Sequence, residues 1–177
     1  EGTIQKYYKK MDDILGSVLD RLAKDDTLVV LSDHGFGTFR RAAHVNSWLK
    51  LNGYLALSNP YAESGRELLS DIDWPRTKAY AIGFGAVYIN QKGRERDGII
   101  AAGEDTERLK KEITQKLSKW IDEKYGQLVV NRVYEREEIF RGEYAKDAPD
   151  LYIGFTIGYR ASWQTAIGGV PQDTIED

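Results

Sequence analysis

The chain has 177 residues, with 25 Lys and Arg against 28 Asp and Glu and a net charge of −3, so it offers no sequence-wide attraction for a nucleic-acid polymer or an anionic membrane. Hydrophobic residues at 41% and charged ones at 30% describe a soluble globular protein rather than a disordered one, and no apolar run approaches the roughly 20 residues of a membrane-spanning helix. The absence of cysteine excludes thiolate nucleophiles, zinc ribbons and disulfides, while two histidines, His34 and His44, tightly bound any imidazole chemistry.

Composition does not fix the compartment, and a soluble cytoplasmic setting is the default expectation. The sequence starts at Glu1 without an initiator Met or a signal-like apolar region, which reads as a processed or excised chain. No linker or internal boundary is visible, so residues 1–177 are taken as one piece.

In chain order, Ile4, Tyr7, Met11, Leu15, Val18 and Leu22 recur at helical spacing and predict an amphipathic helix over residues 3–24. The run Thr27 to Ser32 predicts a strand buried on both faces of a parallel sheet, with the helix packed on that sheet. A glycine-punctuated loop, Asp33-His34-Gly35-Phe36-Gly37, follows where an open α/β sheet binds its ligands. A short helix is expected over Val45 to Leu51, stopped by Asn52-Gly53, with a short strand at Tyr54 to Leu57. Residues 59–73 read as loop, with room for one helical turn at Arg66 to Leu69. Strands at Lys78 to Ile82 and Ala86 to Asn90 flank Gly83-Phe84-Gly85, and a polar loop runs from Gln91 to Gly98. A second surface helix is expected over Thr106 to Tyr125, with Trp120 in the core. The remainder reads as a strand at Leu128 to Tyr134, a helical turn at Glu135 to Phe140, a strand at Leu151 to Phe155 and weak alternation over Tyr159 to Thr165. The fold class is α/β, with mixed α+β additions.

Asp33-His34 is the sharpest chemical feature. A carboxylate and a neutral imidazole on one turn can reach the same cation, and that donor pair suits zinc. Gly35 and Gly37 let the backbone take positive φ and leave room close to the metal for a substrate. The plain alternative is that Asp33 caps a turn and His34 is a buried, hydrogen-bonded histidine. Phe36 and Phe39 either wall an apolar pocket or serve as core or lid aromatics. His44 either starts the Val45 helix or lines the substrate cleft, with a metal role the lesser reading. Arg94 either grips a phosphate or is solvated in its charged loop.

The ordered segments Met11-Asp12, Leu28 to Leu31, Ser32-Asp33-His34-Gly35, His44 to Leu55, Val87 to Ile100 and Asp147 to Phe155 resemble the type I phosphodiesterase/nucleotide pyrophosphatase family of the alkaline phosphatase superfamily. The resemblance implies part of an α/β/α sandwich, two divalent metal ions (zinc in most members) and a phosphate-ester or nucleotide substrate. It implies that Asp33 and His34 bind the metal beside the nucleophile; Phe36, His44 and Arg94 remain candidate pocket residues on their own chemistry. The family's nucleophile loop and its other Asp and His ligands have no counterpart here. No histidine precedes His34, and no Gly-Asp-His segment follows it.

The chain is therefore expected to be the carboxyl-side part of one catalytic domain. Its catalytic nucleophile would lie upstream, the remainder of the parent chain would be its partner, and the isolated piece would hold metal weakly or not at all. The alternatives are a cofactor-independent phosphoglycerate mutase-like or sulfatase-like enzyme of the same superfamily, or a non-catalytic α/β interaction module.

Overall fold

The computed structural model describes residues 2–177, which separate into two compact units, residues 2–36 and 37–177. In the first unit, helix α1 spans Thr3–Leu19. It stops short of the predicted residue 24 because the amides of Arg21 and Leu22 turn to the carbonyls three residues back, at Val18 and Leu19, and tighten the last turn. The Asp26 carboxylate then accepts the Ala23 N–H at 2.8 Å.

The expected buried strand does not form. Residues 27–32 are irregular, and Val29, Val30 and Leu31 are 69–80% exposed. None of α1 is buried either, and among the described residues its own unit contains no sheet for it to pack on. The physical reason is that a strand is held by lateral partners, and none of the strands described pairs with this run. An apolar run supplies the side chains for a sheet interior but not the neighbouring backbone.

The second unit opens with β1 (Arg41–Ala43) and α2 (Val45–Leu51), the latter at its predicted bounds. After a long loop come β2 (Ala79–Ala81) and β3 (Ala86–Ile89), a hairpin whose turn uses Gly83 and Gly85 at φ 84° and 119°. Tyr54 to Leu57 forms no strand, although Leu57 makes an isolated bridge to Ile72. Helix α3 covers Glu104–Leu117, eight residues short of the expected end. There β4 (Ile121–Asp122) and β5 (Gln127–Leu128) form a small hairpin instead, because Gly126 at φ 64° and the Asp122 carbonyl close a tight turn.

Strand β6 (Val130–Glu135), helix α4 (Arg136–Ile139), β7 (Leu151–Phe155), β8 (Tyr159–Ala161), α5 (Trp163–Ala166) and β9 (Ile175–Glu176) complete the unit. Strands β2, β3, β7 and β6 form an antiparallel sheet in that order, and β8-β1-β9 forms a smaller mixed sheet. This mixed α/β architecture, with helices and several sheets, is the class the sequence called for.

The core lies where Trp48 and Leu49 of α2 and Leu109, Ile113 and Leu117 of α3 meet Val87, Ile89, Leu151 and Ile153 of the sheet. Trp48 stacks on Tyr54 at 6.1 Å and tilts against Trp120 at 5.7 Å, so Trp120 is core as expected although it lies beyond the helix. Helix α3 is not uniformly a solvent-facing charged helix away from its apolar stripe. Lys110 is buried, and its ammonium is neutralised by Glu107, Glu135 and Glu137 at 3.0–3.1 Å.

Candidate functional site

The Asp-His-Gly loop lies in the first unit, where local bonds set its shape. The Ser32 hydroxyl donates to the His34 carbonyl at 2.6 Å, and His34 Nδ1 lies 3.0 Å from the Gly35 carbonyl. A carbonyl can only accept, so Nδ1 is the donor in this contact. Nε2 lies 3.4 Å from an Asp33 carboxylate oxygen. Both side chains are open to solvent, 86% exposed for Asp33 and 67% for His34. The expectation of a buried histidine is therefore excluded.

That separation has a chemical meaning. Two ligands each roughly 2.1 Å from one tetrahedral zinc stand about 3.4 Å apart. The donor set fits as well: a hard carboxylate oxygen, and an imidazole nitrogen whose other ring nitrogen is tied to a backbone carbonyl, the arrangement metal-bound histidines usually show. The fit is partial, since no group of three His, Cys, Asp or Glu side chains that could hold a metal ion occurs among the described residues.

Neither Gly35 nor Gly37 uses the positive φ that glycine permits. A Cβ on either would meet nothing within 4 Å, so the loop is open rather than tightly turned. The Phe36 ring, 99% exposed, stands edge-on to His34 at 5.7 Å and 78°. Asp33, His34 and Phe36 thus form one local cluster.

His44 and Arg94 belong to the second unit. His44 immediately precedes α2, is buried, and lies with Nδ1 2.7 Å from the Ser162 hydroxyl and Nε2 3.5 Å from Glu176. Burial pushes its pKa below 6.5, partly opposed by the Glu176 and Asp173 carboxylates.

Arg94 is not solvated. Its guanidinium donates to the fully buried Asp150 carboxylate at 2.6 and 2.9 Å, to the Ile89 carbonyl at 2.6 Å and to Glu95 at 2.8 Å. The loop that carries it folds closely on itself, for a Cβ on Gly98 would overlap the Gln91 carbonyl. Arg94 borders a cleft of about 690 Å³ walled by Trp74, Tyr80 and Tyr88, but its donors are already engaged. Burial pushes the Tyr80 hydroxyl in this cleft up to about 12.

Sequence reasoning missed the partners Ser162 and Asp150. They stand 118 and 56 residues from His44 and Arg94, and no local pattern links residues so far apart.

The family model described as type I phosphodiesterase / nucleotide pyrophosphatase matches residues 1–166. The match spans most of both units, and the chain belongs to that family, whose members are hydrolases of small-molecule phosphate esters. No curated protein and no solved structure matches the chain. Among the described residues, no helix is long and apolar enough to cross a membrane.

Proposed function

We propose that this chain supplies the Asp-His-Gly metal loop of a metal-dependent hydrolase that cleaves phosphodiester or pyrophosphate bonds. Both units would belong to the carboxyl-side part of one catalytic domain, with the nucleophile and the remaining ligands elsewhere in the parent protein. The observation that carries this reading is the 3.4 Å separation of His34 Nε2 and the Asp33 carboxylate, with Nδ1 turned to the Gly35 carbonyl.

In this reading Asp33 and His34 hold one of two divalent ions, zinc by the chemistry of the donors. Such an ion supplies Lewis acidity and lowers the pKa of a hydroxyl nucleophile. Asp33 would bring negative charge to the cation, and His34 would offer its Nε2. The glycines leave space on the substrate side, and Phe36 offers an exposed ring to the substrate's apolar part. Arg94 and His44 are given to packing, because both already have protein partners.

The test is made in the full-length parent protein. Asp33→Asn and His34→Ala are each expected to lower hydrolysis of a nitrophenyl phosphodiester by about a hundredfold or more and to reduce bound zinc, with the melting temperature nearly unchanged. His44→Ala should reduce hydrolysis far less than either. Full activity and full zinc content in both loop variants would overturn the proposal.

A further inference from the structure

Four arginines of the second unit are buried or half-buried, namely Arg41, Arg94, Arg136 and Arg160. The first three each pair with a carboxylate: Arg41 with Asp122, and Arg94 and Arg136 with Asp150. Arg160 has no carboxylate partner among the described residues. Strand β8 buries Tyr159 and Ala161 and so turns Arg160 to the opposite face.

There its guanidinium carbon lies 4.0 Å from the centre of the Phe39 ring and 5.0 Å from that of Trp163. Trp163 is braced in turn by the edge of Phe84 at 5.5 Å and 79°. Nε is buried without a partner, and Nη1 reaches only the Ala161 carbonyl at a marginal 3.5 Å. The rings stay open to solvent, at 50% for Phe39, 62% for Trp163 and 57% for Phe84.

A half-buried, unpaired cation is costly, and three of four such arginines avoid that cost. Arg160 is instead flanked by the Phe39 and Trp163 rings, which hold its orientation and leave its terminal nitrogens without a carboxylate partner. A planar guanidinium held in this way presents a two-donor fork to any oxyanion that arrives in its plane. The exposed ring faces favour an oxyanion that carries a flat group.

We propose that Phe39, Arg160 and Trp163 form a binding site for a ring-bearing oxyanion, an aryl phosphate or an aryl carboxylate. This site is independent of the Asp33–His34 reading, and its test needs neither metal nor turnover.

Titration calorimetry of the 177-residue chain with phenyl phosphate, inorganic phosphate and benzoate tests it. Saturable binding of phenyl phosphate, with a dissociation constant of about 1 mM or tighter, is expected. Benzoate of similar affinity would define a site for any oxyanion fork, and benzoate about tenfold weaker would define a phosphate-ester site; both support the proposal. Arg160→Lys keeps the charge but loses the fork, and should weaken phenyl phosphate about tenfold or more. Trp163→Leu, at an exposed position, should leave inorganic phosphate unchanged and bring phenyl phosphate down to the same affinity. No saturation by phenyl phosphate, or equal binding by Arg160→Lys with an unchanged melting temperature, would overturn it.

Discussion

Replacing Arg94 with Met separates a structural arginine from a substrate-binding one. The substitution keeps a long unbranched side chain but removes a charge that makes two bonds to Asp150, one to the Ile89 carbonyl and one to Glu95. The Asp150 side chain is fully buried and would keep only the Ile89 N–H at 2.6 Å and Arg136 at 3.3 Å. Deleting one partner of a buried pair costs about 3–5 kcal/mol because the other charge is left uncompensated. The residual Arg136 contact places this case at the lower end, about 3 kcal/mol. With a urea slope of about 2 kcal/mol/M, the unfolding midpoint should fall by about 1.5 M.

Tryptophan fluorescence suits the measurement, because Trp48, Trp74, Trp120 and Trp163 all lie in the second unit and report its unfolding alone. The double variant with Asp150→Asn should recover part of the loss, since it removes the stranded charge. A loss below about 1 kcal/mol, accompanied by weaker phosphate binding, would refute the structural assignment and return Arg94 to the substrate.

Acid should destabilise the second unit through His44. Its pKa is lowered in the folded state, so the unfolded chain binds the extra proton more readily, and stability falls as pH drops below about 6.5 toward the folded value. Unfolding midpoints measured from pH 8 to pH 5 should decline less steeply in His44→Gln, and identical slopes would remove His44 as the cause. Hydrogen exchange should find the Leu28–Leu31 amides nearly unprotected, since the segment is irregular and makes no backbone bonds, while Val87, Ile89 and Leu151 exchange slowly in the sheet. Slow exchange at Leu28–Leu31 would mean that the run is paired after all.

Legibility in the sequence followed the range of the interaction that holds each element. Helix α2 and strand β7 matched their predicted bounds because a capping glycine or a compact apolar run marks their ends locally. Strands β1 and β9 were invisible, being three and two residues long and joined only by distant pairings, Ala42 to Arg160 and Ala43 to Ile175. The overlong α3 came from a stripe that runs on through Trp120 and Ile121, and the turn chemistry of Asp122 and Gly126 outweighs it. The candidate site divides in the same way. Asp33 and His34 are neighbours in the chain, so their meeting could be anticipated, whereas the engagement of Arg94 by Asp150 and of Arg160 by two rings could not.

Residues 27–32 show what a local pattern does and does not specify. Their composition is that of a sheet interior, and leaving a Val or Leu side chain in water forgoes about 1.5–3 kcal/mol relative to full burial. Val29, Val30 and Leu31 together therefore represent a large unrealised stabilisation, and α1 adds Ile4, Tyr7 and Met11 at 54–72% exposure. Under the proposed function, flanking strands from the rest of the catalytic domain would cover this surface. The same pairing would carry the chemistry further, because Asp33 and His34 follow directly on the run. Two ligands on a free loop lose conformational entropy whenever they close on a cation, and two ligands at the end of a fixed strand have already lost most of it. Under that reading, burial of Leu28 to Leu31 and metal affinity at Asp33–His34 would be one property seen from two sides, since hydrophobic pairing of the strand would pre-organise the site.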